Sequence, residues 1–250
     1  RVDDGWILAS ADGYPTRADK VDELLEQLLA LRVGEVIASN RSNHESLRVG
    51  GRQYDRRVTI ASDGGSETVI LGNGQRSSVN VRREGEDDVR VARGTAIGNL
   101  RTDARNYVDP EYVAVDKDDL TQIEVTNRHG TLMLRKNENG WTIVDFPSDN
   151  EIDEATLATF INNVARMTLQ SPVGTDTDPA YGLEAGARVV LAATGDDGSV
   201  YADYVIGEAA DERSYYAKAE GSEFVVTVPK WGAEQIRDKK IDDFVKKPAS

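Results

Sequence analysis

One pattern of apolar residues in this chain comes round twice, 136 positions apart. In ADKVDELLEQLLALR, Ala18 to Arg32, the apolar side chains are Val21, Leu24, Leu25, Leu28 and Leu31. That spacing puts them on one face of a helix. Moving each by 136 gives Leu157, Phe160, Ile161, Val164 and Met167, all apolar. The outward residues Glu23, Glu26 and Gln27 become Thr159, Asn162 and Asn163, so polarity is kept while identity is lost. Packing constrains a buried face and leaves a solvated one free, so a structural unit used twice produces this result. Thr16 or Asp19 is expected to cap the first helix, and Asn150 or Asp153 the second.

The elements around the helices return as well. Asp4-Gly5-Trp6 precedes the first helix and Asn139-Gly140-Trp141 the second. Asp-Gly and Asn-Gly favour tight hairpin turns, so each Trp is expected on a returning strand and in a core. Four strands follow each helix: RRVTIAS, ETVILG, SVNVRREG and DVRVAR, then ARVVLAA, ADYVIG, SYYAKAEG and FVVTVP. Glu84-Gly85 and Glu220-Gly221 mark matching hairpin corners. A short helical stretch, PKWGAEQIRDK or RGTAIGNLRTD, closes each half. The second half has an opening hairpin, Leu120 to Trp141, without counterpart in the first. Either its opening strands precede Arg1 in the natural protein, as is expected, or another segment completes that sheet edge.

The expected fold class is α+β. Two tandem modules, residues 1–117 and 118–250, each pack one amphipathic helix on a mainly antiparallel sheet. The first lacks its opening hairpin. Val115 to Asp119, VDKDD, suits the junction.

Composition narrows the partners. The formal net charge is −14, divided as −6 over residues 1–125 and −8 over 126–250. A field of that sign opposes binding to phosphate backbones, so no nucleic-acid partner is expected. There is no cysteine, which excludes disulfides, thiolate metal sites and a cysteine nucleophile. No apolar run is long enough to span a membrane, and no signal peptide is expected within these residues. The chain opens at Arg1, and a preceding segment is expected.

The order of features is a strand and hairpin, GW, a helix, AYGL, ARVVL, YVIGE, YYAKAEGSEFVVTVP, then IRDKKIDDF. This resembles the bacterial family known as domain of unknown function 4340. The fuller likeness runs from Leu120 to Val245, with Tyr181–Leu183 and Ile236–Lys239 its most specific parts. The first half departs from the pattern, with SNRSNHESLRVGGRQYDRR in place of AYGLEAGA. The resemblance implies a domain tethered outside the cytoplasmic membrane by an N-terminal segment not present here. It also implies protein partners in the cell envelope, among ABC-type export or gliding-related components. It supplies no catalytic residues.

Chemistry-bearing motifs are sparse. His44 and His129 each stand alone in sequence and are expected at the surface. Asp176 and Asp178 in DTDPAYG, and Asp196 and Asp197 in TGDDGS, are read as turn formers, because neither run meets the ligand spacing of a calcium loop. A weak, irregular calcium site is the other reading. Of the adjacent Tyr215 and Tyr216, one is expected to be exposed, since neighbours on a strand face opposite ways. The residues Arg41, Arg48, Arg52, Arg56 and Arg57 stand against only Glu45 and Asp55, a local excess of +3 in an acidic protein. They are the candidate anion or partner contact, because guanidinium forks suit carboxylate and phosphate. No cofactor and no metal is expected. The function the family resemblance implies is a non-enzymatic, extracytoplasmic binding or scaffold module. Its alternatives are an envelope-polymer hydrolase with an Asp/Glu pair, or a receptor with a site between the modules.

Overall fold

The computed structural model describes residues 5–75, 78–193 and 199–247. The chain begins with β1 (Ile7–Leu8), β2 (Tyr14–Pro15), α1 (Ala18–Leu29) and β3 (Arg32–Ala38). A meander follows: β4 (Arg56–Ser62), β5 (Gly65–Asn73), β6 (Val79–Arg83) and β7 (Val89–Arg93). Then come β8 (Glu111–Ala114), β9 (Gln122–Asn127), β10 (Gly130–Asn137), β11 (Gly140–Ile143) and α2 (Glu154–Ala165). The last part holds β12 (Arg166–Thr168), β13 (Ser171–Gly174), β14 (Ala187–Ala192), β15 (Val200–Ala209), β16 (Ser214–Ala219), β17 (Val225–Pro229) and α3 (Lys230–Arg237). Helices and antiparallel sheets are both present, so the class is α+β.

Two compact units divide the chain. One is Arg17–Tyr107; the other runs from Val108 onward and takes in the chain's beginning through Thr16. These are units of packing, whereas the modules 1–117 and 118–250 are units of sequence recurrence. Residues up to Thr16 pack with the later unit through β1, β2 and the partly buried Leu8 and Tyr14.

The later unit is built on an eight-stranded sheet of order β11-β10-β9-β14-β15-β16-β17-β13. Helix α2 buries Leu157, Phe160, Ile161 and Val164 in its core, as the helical spacing requires. Asp153 caps α2 by accepting from the backbone N–H groups of Ala155 and Thr156. Phe160 meets Phe244 edge to face, ring centres 5.3 Å apart. Tyr204 is fully buried and donates to the Val164 carbonyl at 2.8 Å, which ties the sheet to the end of α2. Burial pushes its phenol well above the ordinary value. Tyr112 accepts from the Ala219 N–H at 2.6 Å, and burial takes its phenol up to about 12.

The Arg17–Tyr107 unit has a five-stranded sheet, β3-β7-β6-β5-β4. Its strand order is the same as β13-β17-β16-β15-β14. The registers agree as well. Val58 faces Val69 as Val189 faces Tyr204. Val69 faces Arg83 as Tyr204 faces Ala219. Val79 faces Ala92 as Tyr215 faces Val228. In both sheets a strand lying between the helix and the meander, β3 or β13, pairs antiparallel with the last strand of the meander.

Packing separates the two. Helix α1 buries no residue fully. Leu24, Leu28 and Leu31 are half-buried against a small cluster of Leu71, Val79 and Leu100, and Val21 and Leu25 lie outside it. Several sequence expectations need correcting. Neither Thr16 nor Asp19 caps α1: Arg17 is the capping residue and has no side-chain bond there. Thr16 donates to the Trp6 carbonyl instead, and Asp19 pairs with Arg17. Trp141 lies in β11, but Trp6 precedes β1, and both are half-buried. The RGTAIGNLRTD stretch forms only one 3-10 turn, Ile97–Asn99. Strands β3 and β13 were not foreseen. Gly85 and Gly221 hold φ of 87° and 78° at their corners, where glycine is favoured.

Two glycines give opposite predictions. A Cβ on Gly207 would collide with the Tyr181 carbonyl oxygen, whereas one on Gly232, inside α3, would meet nothing. Gly207→Ala is expected to lower stability by about 1–3 kcal/mol through overpacking. Gly232→Ala is expected to raise it by about 0.5–1 kcal/mol. Denaturant unfolding of both variants checks the pair.

Candidate functional site

The five candidate arginines lie on or beside the segment joining β3 to β4. That segment folds back over one face of the small sheet. Val49 is fully buried there with Ile70 and Val89. Gly72 allows the close approach, since a Cβ on it would strike the Leu47 and Arg48 carbonyls. Three buried polar side chains hold the segment down. Asn80 donates to the Leu47 carbonyl at 3.1 Å. Arg82 donates to the carbonyls of Val49 at 2.8 Å and Glu86 at 3.1 Å. His44 is buried, not at the surface, with Nε2 2.9 Å from the Asp87 carbonyl. Its lone position in sequence gave no sign of this, because the carbonyl comes from a distant strand connection. His129 is exposed in its hairpin turn.

Four of the arginines have acceptors inside this fold. Arg41 binds Asp87 at 2.8 Å, and Arg48 binds Asp55 at 2.7 Å. Arg56 donates to the carbonyls of Leu100 at 2.5 Å and Asp55 at 2.7 Å. Arg57 binds Glu84 at 2.6 Å. Arg52 is exposed and has no side-chain partner among the described residues. Only Arg48 and Arg56 share a neighbour, Asp55. The set is thus spread over several contacts rather than gathered round one empty point.

Asp55 is the junction of this network. It accepts from Arg48 and, through its other oxygen, from the Asn73 N–H at 2.7 Å. The Arg48 hydrogen bond first, then that N–H and the nearby arginine charges, hold its carboxyl below the ordinary value, against some desolvation. Asp19, Asp87, Glu151, Asp153 and Asp211 are lowered likewise by cationic or N–H partners. A general acid needs a carboxyl raised toward neutrality. Among the described residues no group of three or more His, Asp or Glu is placed to hold a metal ion.

Charge is segregated by unit, which the division at residue 125 concealed. Arg17–Tyr107 has fifteen Lys and Arg against fourteen Asp and Glu, a net of +1. The rest has fifteen against thirty, a net of −15. The smaller unit also shows apolar side chains at the end of α1 and along β3: Leu29 at 77% exposure, Val33 at 56%, and Val36 and Ile37 also exposed.

In the larger unit the specific sequence motifs meet at one end of the sheet. Tyr181 stacks on Tyr216 with centres 4.2 Å apart. That contact leaves Tyr216 half-buried, as Tyr215 is, so neither tyrosine is the fully exposed one expected. Gly182, with φ of 63°, ends the turn that Asp178 caps, so Asp178 does form a turn. Arg237 lies over the Tyr215 ring at 5.0 Å and binds Glu208 at 2.9 Å. Asp196 and Asp197 lie outside the described residues. A recess of about 340 Å³ is lined by Trp141, Leu157 and Ile161 together with Lys117 and Lys136.

Residues 6–186 match the family model described as Domain of unknown function (DUF4340). The chain belongs to that family. The DUF4340 match takes in Tyr181–Leu183 but ends before Ile236–Lys239, so it does not follow the expected weighting toward Leu120–Val245. No curated protein and no solved structure matches the chain significantly.

The clamp yields two predictions. Arg82→Met strands the Val49 and Glu86 carbonyls and is expected to cost about 2 kcal/mol in denaturant unfolding. Because the folded-state value of Asp55 is depressed, its contribution is present above the unfolded value and disappears as pH falls through the folded one. Stability measured from about pH 5 down to about pH 2 should fall, and less steeply in Asp55→Asn.

Proposed function

We propose that this DUF4340 protein is a non-enzymatic binding or scaffold module, held outside the cytoplasmic membrane as an accessory to an ABC-type transport or gliding-related system. The observation that carries the reading is the apolar surface of α1 and β3 on a unit of almost no net charge. Exposed apolar side chains are what a protein partner can cover, and a unit of near-zero net charge repels partners of neither sign. The larger unit, at −15, repels acidic partners and leaves association to the smaller one. The depressed carboxylates favour binding over acid–base hydrolysis.

We further infer that residues 1–117 and 118–250 are tandem copies of one module. The common strand order and the three matching hairpin registers support this, as does the recurrence of apolar positions at 136. The location, the envelope partners and a membrane link through a segment outside this chain rest on the family likeness.

Photo-cross-linking in cells tests the function. A photoreactive residue at Ile37 of the full-length, membrane-tethered protein is expected to capture an ABC-type or gliding-related component. One at Tyr201, exposed on the acidic unit, is not. Capture at neither position, or equally at both, would overturn the reading.

A further inference from the structure

Helix α1 and the stretch that follows β7 enclose a recess of about 280 Å³, and every residue lining it belongs to Arg17–Tyr107. That volume is close to the lower end of the range for small-ligand sites, about 300–1,000 Å³. Lys20, Glu23 and Gln27, three and four residues apart, line it from α1. Asn99, Arg101 and Tyr107 line it from the later stretch. Adding 136 to Lys20, Glu23, Leu24 and Asn99 gives Thr156, Thr159, Phe160 and Gln235. Those four line a recess of the larger unit, between α2 and α3. The fold therefore sets the position of the recess, and the sequence sets its lining. The larger unit keeps its recess with β9, β10 and β11 present, so strands added at that edge of a sheet do not fill it.

The lining is held from behind. Thr95 is buried, and its hydroxyl lies 3.4 Å from both Oε1 of Gln27 and Nδ2 of Asn99. A hydroxyl between two amides donates to one and accepts from the other. Both amides are thereby oriented, with Nε2 of Gln27 and Oδ1 of Asn99 left over. Tyr107 donates its hydroxyl to the Arg101 carbonyl at 2.5 Å, which leaves the ring as a contact surface. Asn106 accepts one N–H of Arg101 at 2.9 Å and donates to the Asp103 carbonyl at 3.0 Å. No Asp or Glu pairs with Arg101 among the described residues, so most of its five N–H donors meet no protein acceptor. Lys20 binds one carboxylate oxygen of Glu23 at 2.7 Å, and the other oxygen remains an acceptor.

Donors and acceptors thus stand side by side around one recess. A wall of donors alone suits an inorganic anion, and a wall of acceptors alone suits a metal ion. A sugar hydroxyl both gives and takes a hydrogen bond, so a mixed wall suits a sugar ring. The apolar body of Tyr107 offers a surface for the ring's C–H face. Lys20 and Glu23 cancel in charge, which leaves Arg101 as the surplus cation, with a fork that fits a carboxylate. We propose that this recess binds a sugar residue carrying a carboxylate, a uronic acid. Its carboxylate lies on Arg101, and its hydroxyls are shared among Gln27, Asn99 and Glu23. This goes beyond the protein-binding reading and uses a different surface, since neither Leu29 nor Ile37 lines the recess.

The probes are glucuronate and galacturonate, titrated against isotope-labelled protein and read by amide chemical shifts. At least one is expected to saturate, with shifts at the side-chain amides of Gln27 and Asn99. Glucose should bind about tenfold more weakly, and acetate should not saturate over the same concentrations. Arg101→Met should weaken uronate binding about tenfold and leave glucose binding unchanged. Asn99→Ala should weaken both sugars. Gln235→Ala, at the matching place in the other unit, should change neither. Arg101 and Asn99 are both exposed, so their variants are expected to fold, and the amide spectra show whether they do. The proposal is overturned if neither uronate saturates, if acetate binds as tightly as the uronates, or if glucose does. It is overturned too if Gln235→Ala weakens binding as much as Asn99→Ala, or if Arg101→Met weakens glucose and uronate alike. Cross-linking at Ile37 has no part in this titration, so the two ideas fail separately.

Discussion

Lateral strand pairing decides how well each sheet in this protein is sealed. An antiparallel meander satisfies its own backbone groups except along its two outer strands. In the larger unit the hairpin of β9, β10 and β11 extends the sheet past β14. That extension gives the apolar side chains of β14 a neighbour on each side. Helix α2, α3 and Phe244 then close over a continuous core. The smaller unit has the same strand order and the same hairpin registers without that extension. Its core is two small clusters on opposite faces of the sheet.

What the smaller unit lacks in apolar closure it partly replaces with polar fastening. Arg82, Asn80 and His44 are buried, and each meets a backbone oxygen of the segment between β3 and β4 or of the turn after β6. Buried polar groups are tolerated only when they are so paired. The fourteen arginines and one lysine of this unit therefore serve two ends. Some hold loops to the sheet, and together they bring the unit to near neutrality beside an acidic neighbour in sequence.

Much of the fold was legible because it depends on local periodicity. The helical spacing of Val21 to Leu31 and of Leu157 to Met167 located both long helices, and the turn formers located the meander strands. Strands β3 and β13 were missed because RVGEVIA and SPVG have weak alternation, and their pairing is with the far end of a meander. The failed cap at Thr16 has a similar cause: a carbonyl of Trp6, ten residues back, takes its hydroxyl. The five arginines were conspicuous as a charge excess, but sequence spacing does not reveal acceptors on other strands. Arg82, which fastens the same segment, carried no signal beyond being one Arg in a strand.

The sequence by itself determined the element types and the recurrence of apolar positions. Those follow from the periods of helix and strand, which are local properties. The tertiary structure decided where residues 5–16 pack, how charge divides between units, and which polar side chains are consumed in holding the chain together. Each of these depends on which distant segments come into contact, and no short-range period encodes that.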